Sequence, residues 1–103
     1  MKRSVYSSSK AALDMLTKVM GMELGKHNIR VNAVNPTVVL TDLGRMVLKD
    51  PVRVEWLNKR IPLGPGRLVE ISDVTDAILF LLSDKAASIN CITLPLDGGL
   101  SAC

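Results

Sequence analysis

Aromatic side chains make up only 3% of the chain, one Trp, one Tyr and one Phe. Base stacking needs more rings than that. Lys and Arg are spread from Lys2 to Lys85 with no run or stripe, so the net charge of +3 does not point to nucleic acid. Histidine occurs once, at His27, and cysteine twice, at Cys91 and Cys103. That set excludes the usual Cys/His zinc sites. Two sparse cysteines fit a reducing compartment; a Cys91–Cys103 bridge is the alternative to two buried or idle thiols, which fit better. The longest apolar runs fall well short of the roughly 20 residues of a membrane span. Met1-Lys2-Arg3 is basic, but Ser4 to Lys10 is polar where a signal peptide carries its apolar region. The expectation is a cytoplasmic protein with no transmembrane segment. A phosphate cradle is missing too. No Gly-x-Gly-x-x-Gly follows a strand, and neither Gly-Lys-Ser nor Gly-Lys-Thr occurs.

What is present is an aliphatic, Met-rich chain, with 48% apolar residues among 103, enough for one domain. Its organising stretch is Tyr6-Ser7-Ser8-Ser9-Lys10. A Tyr and a Lys four apart stand on one helix face, one turn from each other. A phenol beside a fixed ammonium is a way to make a proton donor. Tyrosine ionises near ~10, and each unit of downward shift needs ~1.4 kcal/mol in favour of the phenolate. The lysine charge supplies part of that, and a helix N-terminus a smaller part. Such a pair can give a proton to a carbonyl oxygen as a hydride reaches its carbon, or take one from an alcohol in reverse. The plainer reading is a surface lysine packed along a tyrosine ring.

Taken in order, Ser4 to about Lys26 reads as a helix. Ala12, Leu16, Val19 and Glu23 form one stripe at helical spacing; Leu13, Met20 and Leu24 form another, widened by Met15 and Met22. A helix apolar on two sides has to bury both, one on a sheet and the other on a second helix, in this chain or in a partner subunit. Ser7, Ser8 and Ser9 suit its start and Gly25 its stop. Ile29 to Asn35 is short, β-branched and bounded by Pro36, so it predicts a strand. Pro36 to about Leu68 holds four of the five prolines. It predicts two short helices, Thr41 to Leu48 and Pro51 to Lys59, with Pro51 in a first turn. So long and irregular a stretch reads as a lid or binding loop, or as a plain helical connector. Glu70 to Leu82 predicts a helix with Val74, Ala77, Ile78, Leu81 and Leu82 on one face and Ser72 or Asp73 as cap. Cys91 to Leu96 predicts a strand closed by Asp97-Gly98-Gly99, with Pro95 marking an edge or an end.

Helix, strand, loop with helices, helix, strand is half of an open α/β sheet. Two strands cannot bury themselves and their helices, so the pattern looks like a piece of something larger.

Three blocks then occur together: Tyr6-x-x-x-Lys10 leading into Ala11-Ala12-Leu13; Ile29-Arg30-Val31-Asn32-Ala33-Val34-Asn35-Pro36; and Leu96-Asp97-Gly98-Gly99. In this order and at this spacing the chain resembles the C-terminal part of the short-chain dehydrogenase/reductase family. The segments Leu13 to Met20, Asn35 to Val39, Asn58 to Gly64 and Ala77 to Asp84 resemble a carbonyl-reductase branch of that family, which uses NADPH on sugars such as L-xylulose and on α-dicarbonyls.

The resemblance implies the C-terminal half of a Rossmann-like, doubly wound parallel sheet: residues 1–103 as one portion of a single domain, with a lid or substrate loop at about 37–68. It implies Tyr6 as catalytic acid/base. Lys10 would sustain the acidity of Tyr6 and hydrogen-bond the nicotinamide ribose. The turn after Pro36 would pass along the nicotinamide, with the Val39 backbone and the Thr41 hydroxyl reaching its carboxamide. Leu43, Met46 and Leu48 are candidates for an apolar wall around the substrate; ordinary lid packing is the other reading. The cofactor implied is NADP(H), the substrate a small carbonyl compound or sugar, and the assembly a homotetramer.

Thr37 departs from the family, which usually has Gly after that proline, so the cofactor turn must differ in shape. The family's Gly-rich dinucleotide loop, its Asn and its carbonyl-positioning Ser would all fall before Met1. Two readings follow. One is the catalytic C-terminal part of an NADPH-dependent carbonyl or sugar reductase, inactive by itself. The other is a short, non-enzymatic module that docks on a full-length relative through the stripe Leu13, Met20, Leu24.

Overall fold

A computed structural model describes residues 3–64 and 66–102 of the chain, apart from the side chain of Val47. Cys103, and with it the pairing considered for Cys91, lies outside the described residues, as does Met1. The order of elements is α1 (Ser4–Leu24), β1 (Ala33–Pro36), α2 (Asp42–Val47), α3 (Pro51–Arg60), α4 (Ile71–Leu82) and β2 (Thr93–Leu96), with short 3-10 turns at Gly25–His27, Asp84–Ala86 and Leu100–Ala102. β1 and β2 pair in parallel, so the architecture is α/β. The chain divides into two compact units, Met1–Ala33 with Phe80–Leu94, and Val34–Leu79 with Pro95–Cys103.

In the first unit, α1 begins at Ser4, before the serine run, and Arg3 caps it without a side-chain hydrogen bond. The expected capping by Ser7, Ser8 and Ser9 does not occur, because all three already lie inside the helix. Ser9 instead donates its hydroxyl to the Tyr6 carbonyl at 2.8 Å. The stop also differs. Gly25 stays right-handed (φ −56°, ψ −33°) and the chain continues into the 3-10 turn. The left-handed residue that ends the run is Asn28, at φ 59°, a conformation Asn tolerates better than most side chains.

The buried face of α1 is the larger correction. Thr17 is only 6% exposed and Gly21 is buried, whereas Leu13, Met15, Leu16, Val19, Met20 and Met22 are all exposed. The two apolar stripes therefore face outward. The face turned to the rest of the unit is the one with small residues, because a backbone approaches there. A Cβ on Gly21 would lie 2.5 Å from the Cys91 Sγ and 2.8 Å from the Asn90 Oδ1.

The predicted strand from Ile29 is regular only from Ala33. Over residues 31–32 and 90–92, side chains take over part of the ladder. Asn90 Oδ1 accepts from the Val31 N–H at 2.8 Å, and Asn32 Oδ1 accepts from the Ile92 N–H at 3.2 Å. The Asn32 amide donates to the Ile89 carbonyl at 2.9 Å, and Arg30 donates to the carbonyls of Ile89 and Ser83. Main-chain bonds run beside them: the Cys91 N–H donates to the Val31 carbonyl and the Ala33 N–H to the Ile92 carbonyl, each at 2.9 Å. β2 is likewise shorter than the predicted Cys91 to Leu96. Cys91 stands at φ 61° and cannot continue a strand.

In the second unit, Leu57, Ile61 and Val69 form the buried core. α2 and α3 form where the sequence places them, to within one residue. Thr41 caps α2 by accepting from the Gly44 N–H at 3.1 Å. Asp50 caps α3 by accepting from the Val52 N–H at 3.0 Å, with Pro51 in the first turn. Val39 and Val69 form a parallel bridge. Asp73, read as an N-cap, works from inside α4: its carboxylate reaches back to the Glu70 N–H at 2.9 Å and pairs with Arg67 at 3.4 Å. That is the acidic half of a capping box. Among the described residues no helix is long and apolar enough to cross a membrane.

Candidate functional site

Tyr6 and Lys10 sit one turn apart near the start of α1. The Lys10 Nζ lies 5.8 Å from the centroid of the Tyr6 ring. That is within the range at which an ammonium feels a ring face. Tyr6 is 65% exposed, so its hydroxyl is open to a reactant. Its carbonyl takes the Ser9 hydroxyl, which leaves the phenol free of that neighbour. The pair offers a phenolic proton with a cation over the ring that bears it.

The direction in which this pair faces is set by the helix that carries it. Residues turn by about 100° each along an α-helix, so Tyr6, Lys10, Asp14, Thr17 and Gly21 share a sector about 80° wide. The last two are the buried residues of α1. The Tyr6–Lys10 face is thus a continuation of the face packed against residues 90–91.

The remaining candidates belong to the second unit. Pro36 ends β1 and is exposed. The Thr37 N–H donates to the Leu96 carbonyl at 3.1 Å, which holds the turn that follows. Val39 is held twice: in the bridge to Val69, and through its carbonyl, which accepts from the Thr41 N–H at 2.7 Å. Gly44 is required here, since a Cβ would collide with the Val39 carbonyl oxygen. The Thr41 hydroxyl uses one lone pair on the Gly44 N–H and keeps its own proton to donate. Val39 and Thr41 therefore present a fixed backbone segment and a hydroxyl donor close together. Those are the groups a nucleotide carboxamide needs, since it both donates and accepts.

Leu43 and Met46, three apart on α2, are 73% and 64% exposed, while Leu48 at the helix end is half-buried. The first two share one outward face. Leu48 is turned more toward its own unit.

Sequence reasoning missed Gly21, Asn32 and Asn90. The signal for Gly21 was a helix-interior glycine, which costs about 1 kcal/mol relative to alanine and so asks for a packing reason. Asn32 inside one predicted strand, where asparagine is depleted, and Asn90 just before the other were the remaining signal.

A family model described as enoyl-(acyl carrier protein) reductase matches residues 1–101. The chain is 55% identical to human L-xylulose reductase over 100 residues, 97% of this chain and 40% of that protein. It is 56% identical to chicken (Gallus gallus) D-erythrulose reductase over 96 residues, 93% of this chain and 38% of that one. A gluconate 5-dehydrogenase from Burkholderia cenocepacia, solved with NADP and tartrate, superposes with a TM-score of 0.86 at 34% identity, over 95% of this chain and 38% of its own. The chain therefore spans about two fifths of the length of the relatives it matches. The Tyr-x-x-x-Lys helix, the α/β pattern and these matches converge, and the chain belongs to the short-chain dehydrogenase/reductase family.

Proposed function

We propose that the protein to which this chain belongs reduces small carbonyl compounds, sugars such as L-xylulose and α-dicarbonyls, with NADPH, and that residues 1–103 are the C-terminal portion of its single catalytic domain. The observation that carries the reading is the Lys10 ammonium held 5.8 Å from the Tyr6 ring on one exposed helix face. When bound, the nicotinamide supplies the hydride. Tyr6 gives its phenolic proton to the substrate carbonyl oxygen, and Lys10 stabilises the negative charge left on the phenol oxygen. Lys10 also bonds the ribose, so one cation orients cofactor and acid together. The Val39 backbone and the Thr41 hydroxyl hold the carboxamide. Residues 37–68 close over the substrate, with the outward face of Leu43 and Met46 as the apolar wall and half-buried Leu48 at its edge.

The choice of NADPH is supported by one relative's name: pig carbonyl reductase [NADPH] 2 is 50% identical over 99 residues, 96% of this chain and 40% of that protein. The exposed apolar surface of α1, Leu13, Leu16 and Met20, supports assembly as a homotetramer. The test is Tyr6→Phe in the full-length protein. Turnover of L-xylulose and diacetyl falls by about a factor of 10²–10⁴, while NADPH binding, followed by fluorescence titration, stays within a few-fold. Retained turnover with lost NADPH binding would contradict the role assigned to Tyr6.

A further inference from the structure

The Asn90 side chain makes two hydrogen bonds in opposite directions. Its Nδ2 donates to the Gly21 carbonyl of α1 at 3.0 Å, and its Oδ1 accepts from the Val31 N–H at 2.8 Å. Gly21 offers no Cβ, so the Asn90 and Cys91 side chains reach the helix backbone itself. The Gly21 carbonyl also receives the Gly25 N–H, so it stays part of the helix ladder while it is gripped from outside. A bond to a backbone carbonyl fixes a helix more closely than a contact with a flexible side chain, because nothing between grip and axis can turn. Thr17, buried one turn earlier, faces the same way.

Gly21 stands about 16 Å along the axis from Lys10 and about 22 Å from Tyr6, at about 1.5 Å per residue. Over that span the helix has no proline, and it shows no break. It therefore moves as one rod. If it rotated by about 20° about its axis, a side-chain tip some 6 Å from that axis would swing by about 2 Å. Misplacement by about 1 Å can cost on the order of 10²-fold in rate. The mutual geometry of Tyr6 and Lys10 is internal to the helix and would survive such a rotation. Their aim would not.

We propose that the Asn90 carboxamide is a positioning residue for the Tyr6–Lys10 pair, fixing the rotation and axial register of α1 through its bond to the Gly21 carbonyl. The inference rests on the reading of Tyr6 and Lys10 as the reacting pair. It adds a device, remote from the reacting atoms, that points them.

The experiment uses the full-length protein with NADPH and a carbonyl substrate. Asn90→Asp keeps the acceptor for Val31 and removes the donor to Gly21, so it cuts the helix bond selectively. Asn90→Leu keeps the shape and removes both. Gly21→Ala strikes the same socket from the helix side. Each variant is compared at a temperature well below its melting point, per folded molecule by circular dichroism. The expected result is a fall in kcat of about tenfold or more in Asn90→Asp, with the carbonyl KM within about twofold. A residue that only stabilises the fold would lower the melting temperature and leave kcat of the folded fraction unchanged. Wild-type kcat in any folded variant of the three overturns the inference. Should Asn90→Leu fail to fold, Asn90→Asp and Gly21→Ala still decide it. Tyr6→Phe is run alongside. If it loses turnover while Asn90→Asp does not, the positioning role falls and the reacting pair stands. If Tyr6→Phe keeps turnover, the pair falls and the positioning role falls with it.

Discussion

The Sγ of Cys91 lies 2.5 Å from the place a Cβ on Gly21 would occupy. The two residues are matched: one lacks a side chain, and the other fills the gap from a left-handed backbone at φ 61°. A non-glycine residue pays about 1–2 kcal/mol for that conformation. Cys91→Gly should relieve this strain and lose only a small half-buried thiol. It is expected to raise the melting temperature or leave it unchanged. Gly21→Ala gains up to about 1 kcal/mol of helix propensity and loses about 1–3 kcal/mol to overpacking. It is expected to destabilise on balance. Differential scanning calorimetry checks the match: the melting temperature falls in Gly21→Ala and does not fall in Cys91→Gly.

Lys10→Met keeps most of the stem packed along the tyrosine ring and removes the charge. On the proposed roles, kcat of the full-length protein should fall about 10²-fold or more, since the cation assigned to the developing phenolate is lost. NADPH affinity should weaken as well, because the ribose contact proposed for Lys10 would go with it. Isothermal titration and steady-state kinetics separate the two losses. Unchanged kcat would remove Lys10 from the chemistry.

Thr41 caps α2, and we assign it a second role toward the cofactor; two substitutions keep or remove both together. Thr41→Ser keeps the hydroxyl that caps α2 and donates outward. Thr41→Val keeps the shape and loses both. The cap contributes on the order of 1 kcal/mol, so α2 should fray in the valine variant, visible as faster amide exchange at Gly44. The cofactor KM should rise in the valine variant and stay near wild type in the serine one.

The carboxyl of Asp97 sits below the ordinary carboxylate range. The Ser101 hydroxyl is the main cause and the Gly99 N–H the next, with a smaller opposing push from burial. Its oxygens accept from the Gly99 and Ser101 N–H groups at 2.9 and 3.0 Å. A carboxylate easier to ionise in the folded state adds stability above its unfolded pKa and loses it as pH falls through the folded value. The C-terminal turn should therefore loosen only in acid, below about pH 4. Asp97→Asn should flatten that dependence. Amide exchange at Gly99 and Ser101 between pH 3 and 6 reports it; an acid dependence unchanged in Asp97→Asn would assign it to another group.

The elements with local signals were legible in the sequence. Asp50-Pro51 and Thr41 start helices because their side chains and fixed φ act within one turn. The Tyr6–Lys10 neighbourhood followed from helical spacing alone. The facing of α1 was not legible. Apolar periodicity shows which side of a helix avoids water, but not which surface takes it up, and Leu13, Leu16 and Met20 point outward. The face that packs inside the unit was chosen by backbone approach at Gly21, which leaves no apolar mark. Gly25 looked like the stop, but the 3-10 turn carried the chain on to Asn28. The strand ends were overread because Asn32 and Asn90 replace main-chain partners by side-chain ones, and β-propensity carries no trace of that exchange.

Those two amides have a consequence for how β1 and β2 find their alignment. Two short strands rich in Val, Leu and Pro could slide by two positions and still present similar side chains to each face. Asn32 and Asn90 admit a single setting, because each must meet one particular main-chain group on the facing segment. They act as locating pins. Inserting one residue between Asn90 and Thr93 would let the pins or the ladder engage, never both, and the chain would lose its unique alignment before its hydrophobicity changed at all.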